Sequence, residues 1–236
     1  MNIKKYAAIF LIVFFLSVFI TLMVTSTANI TLRTAAMPVK QMPHLVIDAG
    51  HGGEDGGAVS SDGVLEKEIN LSIATNTYDL LTFFGFDAEM TRTDDGDLST
   101  EGNNTKQRKN SDMKKRLQIY NASDNNIIIS IHQNKFSNNT SSGTQVFYST
   151  NNERSLLLAD AIKYSVTTQL QPENERQSKP AGNGIFLLKN TTRPAVIVEC
   201  GFLSNKEECA KLVTEVYQKQ MAFAVSTGFI DYFHTN

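Results

Sequence analysis

The chain has 236 residues, 41% of them hydrophobic, and a formal net charge of −2, which allows one domain of ordinary size or two small ones. The charged residues within 1–43 are all basic (Lys4, Lys5, Arg33 and Lys40), leaving −6 for residues 44–236. That balance argues against the basic face of a nucleic-acid binder, and two cysteines are too few for a disulfide scaffold or a thiolate zinc site.

Residues 6–24 carry no charge and are almost wholly apolar. Nineteen residues at about 1.5 Å each make a helix of roughly 28 Å, close to the thickness of a bilayer's hydrocarbon core. Lys4 and Lys5 on the short flank direct everything after Val24 to the outer side of the membrane. Residues 1–24 are therefore expected to be an uncleaved transmembrane anchor. A cleaved signal peptide is the rival, because residues 25–36 are rich in small side chains. Residues 25–43 read as a linker. No second apolar run approaches spanning length, so residues 44–236 are expected to form one soluble domain large enough for a proper core.

Within that domain, residues 44–49 predict a buried strand opening into a loop with Gly50, Gly52 and Gly53. Residues 66–84 predict an amphipathic helix, in which apolar Ile69, Ile73, Leu80, Leu81 and Phe84 recur near helical spacing, stopped by Gly85. A second strand over 86–93 leads to a polar, exposed loop at 94–110. A helix over 111–122 follows, with Met113, Leu117 and Tyr120 or Ile119 inward. Residues 126–132 contain Ile127, Ile128, Ile129 and Ile131, an apolar run interrupted only by Ser130, of the kind a strand shows when both faces are covered. Next come a strand at 144–149, a helix at 153–170, a polar connection at 171–183, strands at 184–188 and 195–199, and one or two helices over 205–233. This alternation predicts an α/β fold: a single domain with a twisted, mainly parallel sheet, helices on both faces and an N-terminal transmembrane helix in front.

In open α/β sheets, function gathers beyond the carboxyl ends of the strands. His51, His132 and Glu199 each follow a predicted strand, and Glu66 opens the first helix. Two imidazoles and one carboxylate suit a catalytic zinc ion with a fourth position open, and the other carboxylate can act as base. Arg92, at a strand end, and Asn134, two residues past His132, are candidate substrate contacts. Asp48 either holds an imidazole or shapes the loop. No GKS or GKT follows the glycines, so a phosphate-binding loop is not expected. Arg116 reads as structural, Glu68 as solvated, His44 and His234 as bystanders, and Cys200 and Cys209 as buried thiols.

Four ordered blocks then carry a resemblance. They are Val46-Ile47-Asp48-Ala49-Gly50-His51-Gly52-Gly53-Glu54-Asp55-Gly56-Gly57-Ala58, Gly63-Val64-Leu65-Glu66-Lys67-Glu68-Ile69-Asn70-Leu71, Ser130-Ile131-His132-Gln133-Asn134 and Val198-Glu199-Cys200-Gly201-Phe202-Leu203-Ser204-Asn205. Together, over about residues 44–233, the sequence resembles the zinc-dependent N-acetylmuramoyl-L-alanine amidases of bacterial cell walls. The resemblance implies that His51, Glu66 and His132 bind Zn2+, that Glu199 is the catalytic carboxylate, and that the bond cut joins the lactyl group of muramic acid to L-alanine. The partners it implies are the stem peptide and glycan of peptidoglycan.

Linker and catalytic domain use up the chain, so localisation is expected to come from the N-terminal helix in the membrane or from an exterior activating or localising protein. A short tethered domain of this kind most resembles the spore-cortex amidases, which remove stem peptides so that muramic δ-lactam can form. This places the domain outside the cytoplasm, anchored to or secreted across the bacterial membrane, with the space between forespore and mother cell as one such site. A vegetative cell-separation amidase is the alternative, and a non-catalytic wall-peptide-binding protein of the same fold is another. The separation of His51 from Glu66 argues against a zinc carboxypeptidase.

Overall fold

The computed structural model describes residues 11, 13–25 and 42–236. Residues 13–25 are helical, with apolar side chains such as Phe15 and Leu22 exposed. Among the described residues no helix is long and apolar enough to cross a membrane. The rest of the expected anchor and nearly all of the expected linker lie outside the described residues. Residues 42–236 form a compact unit by themselves.

Its elements are β1 (His44–Ala49), α1 (Glu66–Phe83), β2 (Asp87–Met90), α2 (Thr105–Tyr120), β3 (Asn126–Asn134), β4 (Gln145–Tyr148), α3 (Arg154–Gln169), β5 (Lys179–Pro180), α4 (Phe186–Asn190), β6 (Ala195–Phe202), α5 (Lys206–Leu212) and α6 (Glu215–Thr235). The six strands form one sheet in the order β2-β1-β3-β6-β4-β5. All neighbours are parallel except β4 and β6, which run antiparallel.

Period-2 alternation explains how the central strands serve two cores at once. Leu45, Ile47, Ile129, Ile131, Val196 and Val198 meet α1, α3 and α6 in the larger apolar cluster. Val46, Ile128, Ala195 and Ile197 meet Tyr120 of α2 and Leu187 and Leu188 of α4 in the smaller one. In α1 the inward residues Ile69, Ile73, Thr77 and Leu81 recur every four positions and are all buried. The helix closes with a Schellman pattern in which Phe86 N–H donates to Leu81 O and Gly85 N–H to Thr82 O.

Two expectations are corrected here. Residues 184–188 are not a strand: Phe186–Asn190 is a short helix, and the sheet's edge is instead the exposed pair Lys179–Pro180. A five-residue apolar run does not distinguish the two states, while a proline suits an edge strand because it has no N–H to donate. Likewise the loop expected over 94–110 ends early. Asn104 caps α2 by accepting from Gln107 N–H at 3.0 Å, and the helix starts at Thr105.

Candidate active site

β1, β3 and β6 lie side by side, and the predicted residues come off the same edge. His132 pairs in register with Glu199 across β3 and β6. His51 follows β1 with a φ of 62°, so it is the only non-glycine residue of the described chain in the left-handed region. Such a conformation is strained for most side chains and is found where a fold must aim a particular group.

Glu66 reaches the two histidines from the first turn of α1. Its Oε1 lies 2.9 Å from His132 Nδ1, and its Oε2 lies 3.2 Å from His51 Nε2. The backbone sets this carboxylate in place: Ala58 N–H donates to Oε2 at 2.7 Å and Gln133 N–H to Oε1 at 3.0 Å. Asn70, one turn along α1, donates to Oε1 at 3.1 Å. Gly57 (φ +69°) lets the chain pass close by, since a Cβ there would come within 2.5 Å of Glu66 Oε2. One ligand atom from each of His51, Glu66 and His132 fits within 4.8 Å of the others. Glu68 is exposed, as expected for a solvated side chain.

The donor set fits a cation. Burial alone would lower the pKa of His51, but hydrogen bonds and charge from Asp55 and Glu66 outweigh it and push the ring up to about 9. Glu66 is held far below the usual carboxylate range, because the two imidazoles overcome the upward pull of its burial. The metal-free cluster therefore favours positive charge at this point, and two imidazoles with one carboxylate are the ligand types a catalytic zinc ion takes.

Glu199 has the opposite environment. One of its carboxyl oxygens, Oε2, is closed off from solvent and has no hydrogen-bond partner among the described residues. Burial, with help from the Glu66 charge, pushes its pKa up to about 7 against the pull of His132 and His51. A carboxyl group of this kind can exchange a proton near neutrality.

Asp48 does not hold an imidazole, and it is not a loop residue. It lies one residue before the end of β1, fully buried, and accepts hydrogen bonds from Arg116 Nη1, Thr91 Oγ1 (2.7 Å), Tyr120 Oη (2.7 Å) and Ser130 Oγ (2.5 Å). Arg116, packed structurally as expected, also donates to Ala49 O at 2.9 Å and His51 O at 2.7 Å. Arg92, expected to meet substrate, is turned to similar use. It is buried, and donates to Ala49 O (2.9 Å), Gly50 O (2.9 Å), Lys67 O (2.8 Å) and Asp94 O (2.8 Å). Two guanidinium groups thus hold the three carbonyls that lead to and include His51. Asn134 is half-buried at the end of β3, and its side chain makes no hydrogen bond among the described residues.

His44 lies at the opposite end of β1, bonded through Nδ1 to Asp87 Oδ2 at 2.7 Å, and His234 is exposed near the end of α6. Cys200 and Cys209 are free, buried thiols. Sequence reading missed Asp55, whose Oδ2 lies 3.0 Å from His51 Nδ1. The only signal was an acid four residues beyond the histidine, in a loop where spacing says little about contact.

A family model described as N-acetylmuramoyl-L-alanine amidase matches residues 45–231. The chain is 35% identical over 190 residues to the germination-specific N-acetylmuramoyl-L-alanine amidase of Bacillus subtilis (strain 168), covering 80% of this chain and 79% of that protein. It is 27% identical over 232 residues to the N-acetylmuramoyl-L-alanine amidase AmiA of Escherichia coli (strain K12), covering 80% and 76%. Among solved structures, the CwlD amidase from Clostridioides difficile, in complex with the GerS lipoprotein, superposes with a TM-score of 0.79 at 36% identity, over 82% of this chain and 100% of that one. The catalytic domain of CwlV from Bacillus (Paenibacillus) polymyxa var. colistinus gives 0.68 at 29% identity, over 83% and 100%. With a matching family model over most of the domain and relatives of the same activity, the chain belongs to the N-acetylmuramoyl-L-alanine amidase family of peptidoglycan hydrolases.

Proposed function

We propose that His51, Glu66 and His132 hold one zinc ion, that Glu199 is the catalytic carboxylate, and that the enzyme cuts the amide between N-acetylmuramic acid and the L-alanine of the stem peptide. The observation that carries this reading is the convergence of the three donors within 4.8 Å beside a half-buried carboxyl group, one oxygen of which is closed off from solvent and unpartnered. When bound, zinc supplies Lewis acidity, polarising a carbonyl and lowering the pKa of water toward neutrality. Glu199 accepts a proton from the attacking water as the new C–O bond forms. It returns that proton to the nitrogen as the C–N bond breaks, so L-alanine leaves as a neutral amine. Asp48, Arg92 and Arg116 take no part in proton transfer; they fix the loop on which His51 stands. Asn134, with an amide free to bond, contacts the stem peptide.

The 35% identical germination-specific relative supports a spore-cortex role, in which stem peptides are removed ahead of δ-lactam formation. The apolar N-terminal segment supports an extracytoplasmic enzyme held at the membrane. The lipoprotein bound to the Clostridioides difficile relative supports an exterior protein partner for this chain as well.

Digestion of purified peptidoglycan by the zinc-loaded full chain, followed by mass analysis, tests the reading. The expected products are free stem peptides beginning with L-alanine, abolished by chelation and restored by zinc. Intact muropeptides that are bound without being cut would instead identify a wall-peptide receptor. Spores lacking the protein should lack muramic δ-lactam in the cortex; a normal δ-lactam content would move the enzyme to vegetative growth.

A further inference from the structure

His51 is gripped on the side away from Glu66. After it the chain turns back sharply, with Gly52 N–H donating to Asp55 O and Asp55 N–H to Gly52 O, both at 3.0 Å. This brings the Asp55 carboxylate onto the imidazole, with Oδ2 at 3.0 Å from Nδ1. The same oxygen takes Lys109 Nζ of α2 at 2.9 Å, while Oδ1 accepts Gly57 N–H at 3.2 Å. Gly57 precedes Ala58, whose N–H donates to Glu66 Oε2. One carboxylate is thus tied to the first candidate ligand directly, to the second through two residues of backbone, and to a helix outside the site. Arg108, next to Lys109, pairs with Asp97 at 2.9 Å and Glu54 at 3.5 Å, closing α2 over the same loop.

We propose that Asp55 is the positioning residue of the metal site, fixing through its carboxylate which nitrogen of His51 faces the cation, with Lys109 as its anchor. Asp55 accepts the Nδ1 proton and so leaves the Nε2 lone pair directed at Glu66. An imidazole held in one tautomer and one orientation binds a cation more tightly than a rotating ring, and removal of such an acceptor generally costs 10- to 100-fold in metal affinity. The inference rests on the zinc reading above.

Zinc affinity of the full chain, measured by competition with a chelator, tests it without recourse to turnover. Asp55→Ala should bind zinc about 10- to 100-fold more weakly than wild type. Asp55→Asn, which keeps an acceptor oxygen, should recover part of that loss. Far-UV circular dichroism of the metal-free proteins checks the fold, and if Asp55→Ala does not fold, Asp55→Asn carries the test with a loss of several-fold. Nitrogen-15 spectra of histidine-labelled protein should show a slowly exchanging Nδ1 proton on His51 in zinc-loaded wild type, absent in Asp55→Ala. An Asp55→Ala affinity within twofold of wild type, with that proton still protected, overturns the proposal. His51→Ala is measured alongside: if it too keeps wild-type affinity, the ligand set is wrong, whereas loss of zinc in His51→Ala alone rejects only the role of Asp55.

Discussion

The two faces of the sheet are built from different chemistry. Strand β3 shows both: Ile127, Ile129 and Ile131 enter the larger apolar cluster, whereas Ile128, Ser130 and His132 point to the other side, where apolar contact gives way to polar contact along the strand. The first face is aliphatic and aromatic side chains against three helices. The second, toward the strand ends, is the buried network of Asp48, Arg116, Tyr120 and Ser130. Apolar packing is non-directional and supplies stability without orientation. A network of charged hydrogen bonds supplies orientation, because each partner has a fixed geometry and a broken bond leaves a buried group exposed to a large penalty. The site sits at the end of the polar face, where orientation is needed.

Substitutions on the two faces should therefore separate stability from metal binding. The largest effect is expected for Arg116→Met, which leaves the Asp48 charge buried and frees the carbonyl of His51, while Ala49 O keeps only Arg92. Urea denaturation should show a loss of about 3–5 kcal/mol, and zinc affinity should fall with it. Ile129→Ala, on the apolar face, should lose roughly 3 kcal/mol through the cavity it leaves, yet the folded variant should bind zinc like wild type. Equal losses of zinc affinity in the two variants would break the comparison.

The polar face should also carry the acid sensitivity. Burial would raise the pKa of Asp48, but the Arg116 charge and the hydroxyls of Ser130 and Tyr120 overcome it and hold the group well below the usual carboxylate range. The unfolded chain then takes up this proton first as the pH drops below about 4. The Asp48 contribution is complete above that value and is lost as the pH falls toward the folded-state pKa. Unfolding midpoints from pH 6 downward should show this decline, and Asp48→Asn should flatten it. Smaller still is Asn205→Ala. Asn205 caps α5 by accepting from Glu207 and Glu208 N–H, so about 1 kcal/mol should be lost with turnover unchanged.

What could be read from the sequence divides in the same way. The apolar strands announce themselves through runs such as Ile127 to Ile131, broken only by Ser130, and Ile69, Ile73 and Leu81 of α1 through their spacing, whereas Phe84 of the same series is exposed. His51, Glu66, His132 and Glu199 stand out in the sequence because each adjoins such an element. The polar network was not legible: Asp48 meets partners 43, 68, 72 and 82 residues away, and no local pattern marks them. The first turns of α2 were missed because residues 105–110 hold no apolar residue to show a period. The cue there was the cap, Asn104 with Gln107 three positions on. Arg92 was misread because position at a strand end says nothing about whether a guanidinium faces substrate or its own backbone.

Glu199→Gln separates the metal from the proton. The three donors His51, Glu66 and His132 remain, but the side chain can no longer take a proton from water and hand it to the leaving nitrogen. Bound zinc and the rate of stem-peptide release, measured on the same preparation, should part company: one zinc per chain as in wild type, with turnover lowered at least about 100-fold. A variant that cuts at the wild-type rate, or one that loses its zinc together with its activity, would contradict the assignment of proton transfer to Glu199.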